Sequence, residues 1–214
     1  MKPELLAALA SEHLVALACL PADPAFCHAP LHSLILIGPA GGAAYWQHVT
    51  RSPEWRGGQA DPVDRWSHRI LGGLAQQFDG SAMFPSDGPP YPPFLRWAQQ
   101  SGMLWQSPVG MLVHADTGLW VSFRGALAVP FEARIKAAPN PCITCEAQPC
   151  RKACPVSALS LDGYDVAACR AHLDTNTGKT CLSGGCLARA ACPASQRHAR
   201  LPEHSAYHMS RFHI

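Results

Sequence analysis

Eight of the ten cysteines in this chain of 214 residues lie between Cys142 and Cys192, spaced as a ligand set. The first run is Cys142-x2-Cys145-x4-Cys150-x3-Cys154, closed by Pro155. The second is Cys169, then Cys181-x4-Cys186-x5-Cys192, closed by Pro193. Closely spaced thiolates wrap one corner of a metal centre, and a remote cysteine completes it. Eight thiolates serve either two [4Fe–4S] clusters or two four-cysteine zinc sites. Disulfides are a third use, disfavoured in a reducing compartment. Zinc ribbons pair C-x2-C with C-x2-C, so the two Cys-Pro endings favour clusters.

The first run is similar to the C-x2-C-x2-C-x3-C-P run of bacterial ferredoxins, with two residues added before the third cysteine. In that pattern the Cys-Pro cysteine serves the other cluster. Cys142, Cys145, Cys150 and Cys192 are then expected to hold one [4Fe–4S] cluster, and Cys154, Cys169, Cys181 and Cys186 the second. Arg151, Lys152, Arg170, Lys179 and Arg189 stand near these ligands in sequence. They either offset the charge of a thiolate-bound cluster or are solvated surface. Cys19 and Cys27 are expected to be ordinary thiols.

The elements that must position these residues follow from apolar pattern and punctuation. All six tryptophans fall from Trp46 to Trp120, which suggests an aromatic core before residue 131 and a module folded round inorganic groups after it. Pro130–Pro141 reads as the linker. A helix is expected over 3–12, a strand over Leu14–Leu20 and a buried strand at Ser33–Gly38. A helix opens at Asp61-Pro62, with Asp61 as N-cap and Val63, Trp66, Ile70, Leu71, Leu74 and Phe78 as its apolar stripe. Asp87–Pro93 reads as a rigid loop. Val109–His114 and Leu119–Val129 read as a hairpin turning at 115–118. In the strand Trp120–Arg124, alternation sets Trp120, Ser122 and Arg124 on one face. The histidines His198, His204, His208 and His213 are irregularly spaced and read as exposed or cluster-covering.

A formal net charge of +2 gives no electrostatic case for a nucleic-acid partner. No apolar run approaches the roughly 18 residues of a membrane span. The start Met-Lys-Pro-Glu-Leu-Leu lacks a signal-peptide core, so a cytoplasmic protein is expected. No dinucleotide, P-loop, nucleophile-elbow or zincin motif occurs.

Asp61-Pro62-Val63-Asp64 at a helix start resembles a segment of the CblC-type cobalamin-processing family. So does Gly110-Met111-Leu112-Val113-His114 with Gly118-Leu119-Trp120-Val121-Ser122-Phe123-Arg124-Gly125. The resemblance covers roughly residues 14–130. It implies an α+β chain: a nitroreductase-like corrinoid-binding domain over 1–130, then a small ferredoxin-like module with two [4Fe–4S] clusters over 131–214. The implied activity is that of an oxidoreductase that binds cobalamin base-off and removes its upper axial ligand by decyanation or dealkylation.

Animal members of that family use flavin partners or glutathione and lack cysteine clusters. Here the clusters suggest a built-in reductant, fed by an external ferredoxin, flavodoxin or flavin reductase. The implied corrinoid contacts are Gly110, His114, Trp120, Ser122, Arg124 and Gly125, with Arg124 matching a family arginine beside the ligand site. Asp87-Gly88-Pro89 resembles the Asp-Thr-Gly-Pro of epoxyqueuosine reductase, which makes Asp87 a candidate proton donor. That enzyme and the reductive dehalogenases join a related corrinoid domain to two clusters. Two other functions therefore remain open: a corrinoid-dependent reductase of an organic substrate, and an electron carrier.

Overall fold

Proline opens α1, α3, α4, α9 and α10, where a missing N–H costs nothing because the first turn has no partner for it. The computed structural model describes residues 1–27 and 30–213. Its elements in chain order are α1 (Pro3–Ser11), β1 (Leu14–Pro21), β2 (Ser33–Pro39), α2 (Ala44–Thr50), α3 (Pro53–Arg56), α4 (Pro62–Gln77), β3 (Ser81–Met83) and α5 (Phe94–Gln100). There follow β4 (Leu104–Gln106), β5 (Leu112–His114), β6 (Gly125–Val129) and a 3-10 turn at Pro149–Arg151. The last helices are α6 (Val166–Leu173), α7 (Lys179–Gly184), α8 (Leu187–Ala191), α9 (Pro193–His198) and α10 (Pro202–Phe212). The fold is α+β. Among the described residues no helix is long and apolar enough to cross a membrane.

The chain forms two compact units. The first comprises Met1–Ala40, Ala44–Met103 and Ser122–Ala138, and the second Gly41–Ala43, Leu104–Val121 and Pro139–Ile214. No single cut in the chain separates them.

The first unit is built on an antiparallel sheet in the order β1-β2-β6-β3. Its two central strands bury every residue, which is why β2 reads as an unbroken apolar run. Ile35 sits between Cys19 of β1 and Leu127 of β6. Burying each of Leu34, Ile35, Leu36 and Ile37 contributes about 1.5–3 kcal/mol. Helix α4 packs on β3 and β6 through Val63, Trp66, Leu71 and Leu74.

Three details of α4 differ from expectation. Ile70 and Phe78 are only partly buried, and Ser67 and Ala75 complete the face. Asp61 does precede the helix, but in the left-handed region at φ 48, and its side chain makes no cap. Its carbonyl instead accepts from Asp64 and Arg65, while the Arg65 guanidinium donates to the carbonyls of Glu54, Gln59 and Ala60. The Arg69 fork on Glu54 holds that carboxyl down to about 2.

Asp87–Pro93 has no regular structure, nor has the linker from 131 to 140. The linker is tied to the first unit at Ala133. Its N–H donates to Ser33 Oγ at 2.9 Å, and its carbonyl accepts from the Cys19 thiol at 2.9 Å. Burial pushes both the Cys19 and Cys27 thiols up.

In the second unit β4 pairs with β5, Trp105 opposite Val113. This corrects the expected hairpin. Gly110, at φ +77, turns the chain back so that 112–114 meets 104–106. Only a single bridge, His114 to Gly118, forms on the other side. Gly125–Val129 instead inserts between β2 and β3, where all five of its residues are buried; that burial outweighs pairing with a three-residue strand. Residues 120–124 therefore form no strand, and the common face expected for Trp120, Ser122 and Arg124 does not exist. The tryptophans divide as well. Trp46, Trp66 and Trp97 are buried in the first unit, whereas Trp120 is buried and Trp105 half-buried in the second.

Candidate functional site

The eight clustered cysteines all fall in the second unit, and the fold sorts them into two sets. Cys142, Cys145, Cys150 and Cys192 line one cavity of about 510 Å3, with Pro141, Thr144 and Gln148 at its edge. Cys192 reaches this cavity because it ends α8 and precedes Pro193 of α9. Behind it Val109, Val113, Leu119, Cys150, Cys192 and Ala194 form one buried cluster, joined by Trp105 and Met111. The β4–β5 hairpin is thus the apolar backing of this quartet. Gly118 and Ser195 fix the junction. A Cβ on Gly118, at φ +58, would overlap the Ser195 backbone, and Ser195 Oγ accepts from Leu119 N–H at 2.8 Å.

Charge coupling within this quartet is direct. Burial first, then the neighbouring Cys192, Cys150 and Cys145, push the Cys142 thiol up to about 11. Cys150 rises for the same reasons, burial and then Cys192 and Cys145, partly offset by its own N–H and that of Arg151.

Cys154, Cys169, Cys181 and Cys186 form the second quartet. Burial raises Cys181, the Leu187 N–H opposes it, and Cys186, Cys169 and Cys154 add to it. Burial also raises Cys169, opposed by a hydrogen bond from Tyr164, with Cys186 and Cys154 contributing repulsion. Cys154 Sγ accepts from Ala158 N–H at 3.3 Å.

Buried thiols that repel one another do not ionise at neutral pH unless a cation replaces their protons. The donor set therefore suits a thiolate-bound metal centre, zinc or iron–sulfur. Among the described residues no three His, Cys, Asp or Glu side chains are drawn together tightly enough to hold a single ion.

Of the five cations near the ligands, Arg151, Lys152, Arg170 and Lys179 are exposed and Arg189 is half-buried. Burial pulls the Arg189 guanidinium down, while Cys186 and Tyr164 act to raise it. None of the four tail histidines is exposed: His198 ends α9 and is buried, and α10, which carries the buried His204 and the half-buried His208, packs on α7, the helix of Cys181. Burial, then Arg200 and His114, bring His198 down to about 4.

The chain matches no protein-family model, no curated protein and no solved structure.

The remaining candidates separate. Trp120 is a core residue of the second unit, 5.1 Å beneath the Arg200 guanidinium. His114 Nδ1 accepts from the N–H groups of Asp116 and Thr117, which shapes the turn. Gly110 lets Ser160 approach, since its Cβ would stand 2.6 Å from that carbonyl oxygen. Gly125 does the same for Leu71 and begins β6. Asp87 accepts from Phe84 N–H at 2.8 Å and so closes a turn.

Arg124 differs from these. Its side chain is 10% exposed, its Nε has no partner, and one terminal nitrogen donates to Ser122 Oγ at 3.0 Å. With Asp64, Ser67, His68, Phe84 and Phe123 it lines a cavity of about 300 Å3 in the first unit. Its guanidinium lies 3.8 Å from the Asp64 carboxylate, and His68 stacks on Phe84 at 3.6 Å. Asp64, Ser67 and His68 share one helix face by their spacing of three and four. That spacing is legible in the sequence beside the apolar stripe of the same helix.

Proposed function

We propose that this chain is an iron–sulfur oxidoreductase that holds two [4Fe–4S] clusters and passes electrons to cobalamin, removing its upper axial ligand. The gathering of eight thiols into two crossed quartets carries the redox part of this reading. Its second unit would then be the ferredoxin-like module, and its first the nitroreductase-like corrinoid domain. When bound, the clusters supply one-electron transfer.

The chain's own residues do the rest. Eight cysteines give up protons and hold the metal. The Val109, Val113 and Leu119 backing keeps water from one side of the first quartet. Arg124 offers a buried donor to a corrin amide or an anionic leaving group, and its unpartnered Nε supports that role. In the substrate, one electron takes Co(III) to Co(II) by filling an orbital antibonding to the upper ligand. Cyanide then leaves with the bonding pair. The electron comes from an external ferredoxin, flavodoxin or flavin reductase. One observation favours a plain electron carrier instead: residues 120–124 form no strand, so part of the resemblance to a corrinoid site lacks its face.

The test is anaerobic mixing of reduced protein with cyanocobalamin. We expect about eight iron and eight sulfide per chain, co-elution of corrin with protein, conversion to Co(II) cobalamin and free cyanide. Zinc at about two equivalents with negligible sulfide would remove the clusters from the reading. Clusters without any corrinoid binding would leave the electron carrier.

A further inference from the structure

In the first unit, the cavity of about 300 Å3 beside α4 sets opposite charges next to each other without letting them hydrogen-bond. Asp64 and His68 stand one turn apart on α4 and both line it. Arg124 reaches it from just before β6, where its backbone N–H donates to the Ile37 carbonyl at 2.8 Å and fixes the chain. Arg124 Nη2 donates to Ser122 Oγ at 3.0 Å, and its Nε is buried without a partner. Nη1 stands 3.8 Å from Asp64 Oδ1. A hydrogen bond between those groups needs about 2.7–3.2 Å, so the donor and the acceptor each keep capacity for a third group. Aromatic rings make up much of the remaining wall. His68 lies on Phe84 with ring centres 3.6 Å apart and 26° between the planes, and Phe123 adds another ring.

We infer that this cavity recognises a primary carboxamide, whose carbonyl oxygen accepts from Arg124 and whose NH2 donates to Asp64. An anion would gain the guanidinium but meet the carboxylate, and a cation would meet the reverse. A primary amide is neutral and planar, and carries an acceptor and two donors side by side. A hydroxyl offers both functions through one atom but brings no flat face to the rings. The Asp64 side chain is 58% exposed, so water weakens its share, whereas that of Arg124 is 10% exposed and contributes more. The volume admits a small amide or one arm of a larger ligand, not a macrocycle. If the arm belongs to a corrin, its binding rests on the proposed function; a small free carboxamide needs no such reading.

The full chain is titrated with benzamide, benzoate and benzyl alcohol, which share one ring and differ in the polar head. The readout is the set of His68 ring resonances, assigned by their loss in His68→Gln. Benzamide should shift them at concentrations roughly three- to tenfold below those the other two require. Asp64→Ala, at an exposed position, should weaken benzamide roughly three- to tenfold and strengthen benzoate, because both the acceptor and the repulsion are lost. A cavity that only packs rings would hold all three alike and would not respond to Asp64→Ala. Either of those results overturns the inference, as does benzoate binding more tightly than benzamide, or no binding of benzamide. Cyanocobalamin is the second probe. A shift of the same resonances in competition with benzamide assigns the amide to a corrin arm. Benzamide binding with His68 unmoved by cyanocobalamin upholds the carboxamide site and takes this cavity from the corrinoid reading. Cyanocobalamin binding without any benzamide binding overturns the inference alone.

Discussion

Replacing Cys192 by serine tests the crossed quartets most directly. Cys192 is far in sequence from Cys142, Cys145 and Cys150, yet lines their cavity and is only 8% exposed. Its neighbours Val109, Val113, Leu119 and Ala194 are apolar. A serine hydroxyl there faces these apolar groups on one side and the cavity on the other, so the substitution costs at most about 1–3 kcal/mol, a modest fraction of a typical domain's stability. The fold should survive, so lost iron would report on ligation. Removing one of four ligands should take iron from about eight to about four per chain and leave the second set of resonance signals unchanged. In metal-free protein the Cys142 thiol should come down from about 11, because Cys192 is the second cause of its rise. It should stay above the ordinary value, since burial is the first cause and persists. Ultraviolet thiolate titration reads that shift, and Cys154→Ser is the control that should spare Cys142. The reasoning fails if Cys192→Ser abolishes the cluster of Cys169, Cys181 and Cys186, or if Cys154→Ser and Cys192→Ser damage the same signals.

Arg124→Ala should weaken corrinoid binding or slow decyanation by roughly ten- to a hundredfold, the worth of a buried charged hydrogen bond, with both cluster spectra intact. Unchanged affinity and rate would remove Arg124 from the site. Stability should fall on acidification between about pH 6.5 and 4. His198 is held neutral in the fold, down at about 4, whereas an unfolded histidine takes a proton near 6.5, so the unfolded state binds more protons in that window. His198→Asn should flatten the pH dependence of the denaturation midpoint there, by on the order of 2 kcal/mol across the window. Equal slopes for the two proteins would count against a buried neutral histidine.

Local sequence determined what depends on local rules. The buried run Ser33–Gly38 became β2 because only a central strand covers both faces of such a segment. Asp61-Pro62 began α4 because proline fits the first turn, although the aspartate cap was absent. The eight cysteines and their two Cys-Pro endings are legible in the sequence as a ligand set, because ligand spacing is itself a geometric constraint; that they hold two clusters in crossed quartets is the proposal.

Tertiary structure decided what depends on competition between distant partners. Gly125–Val129 looked able to pair with its sequence neighbour, and burial between β2 and β3 took it away. That choice leaves Trp120 in the core of one unit and Arg124 in the cavity of the other. Alternation along a chain says which residues would share a face if a strand forms. Whether it forms depends on the apolar area each possible partner buries, and only the folded chain contains that sum.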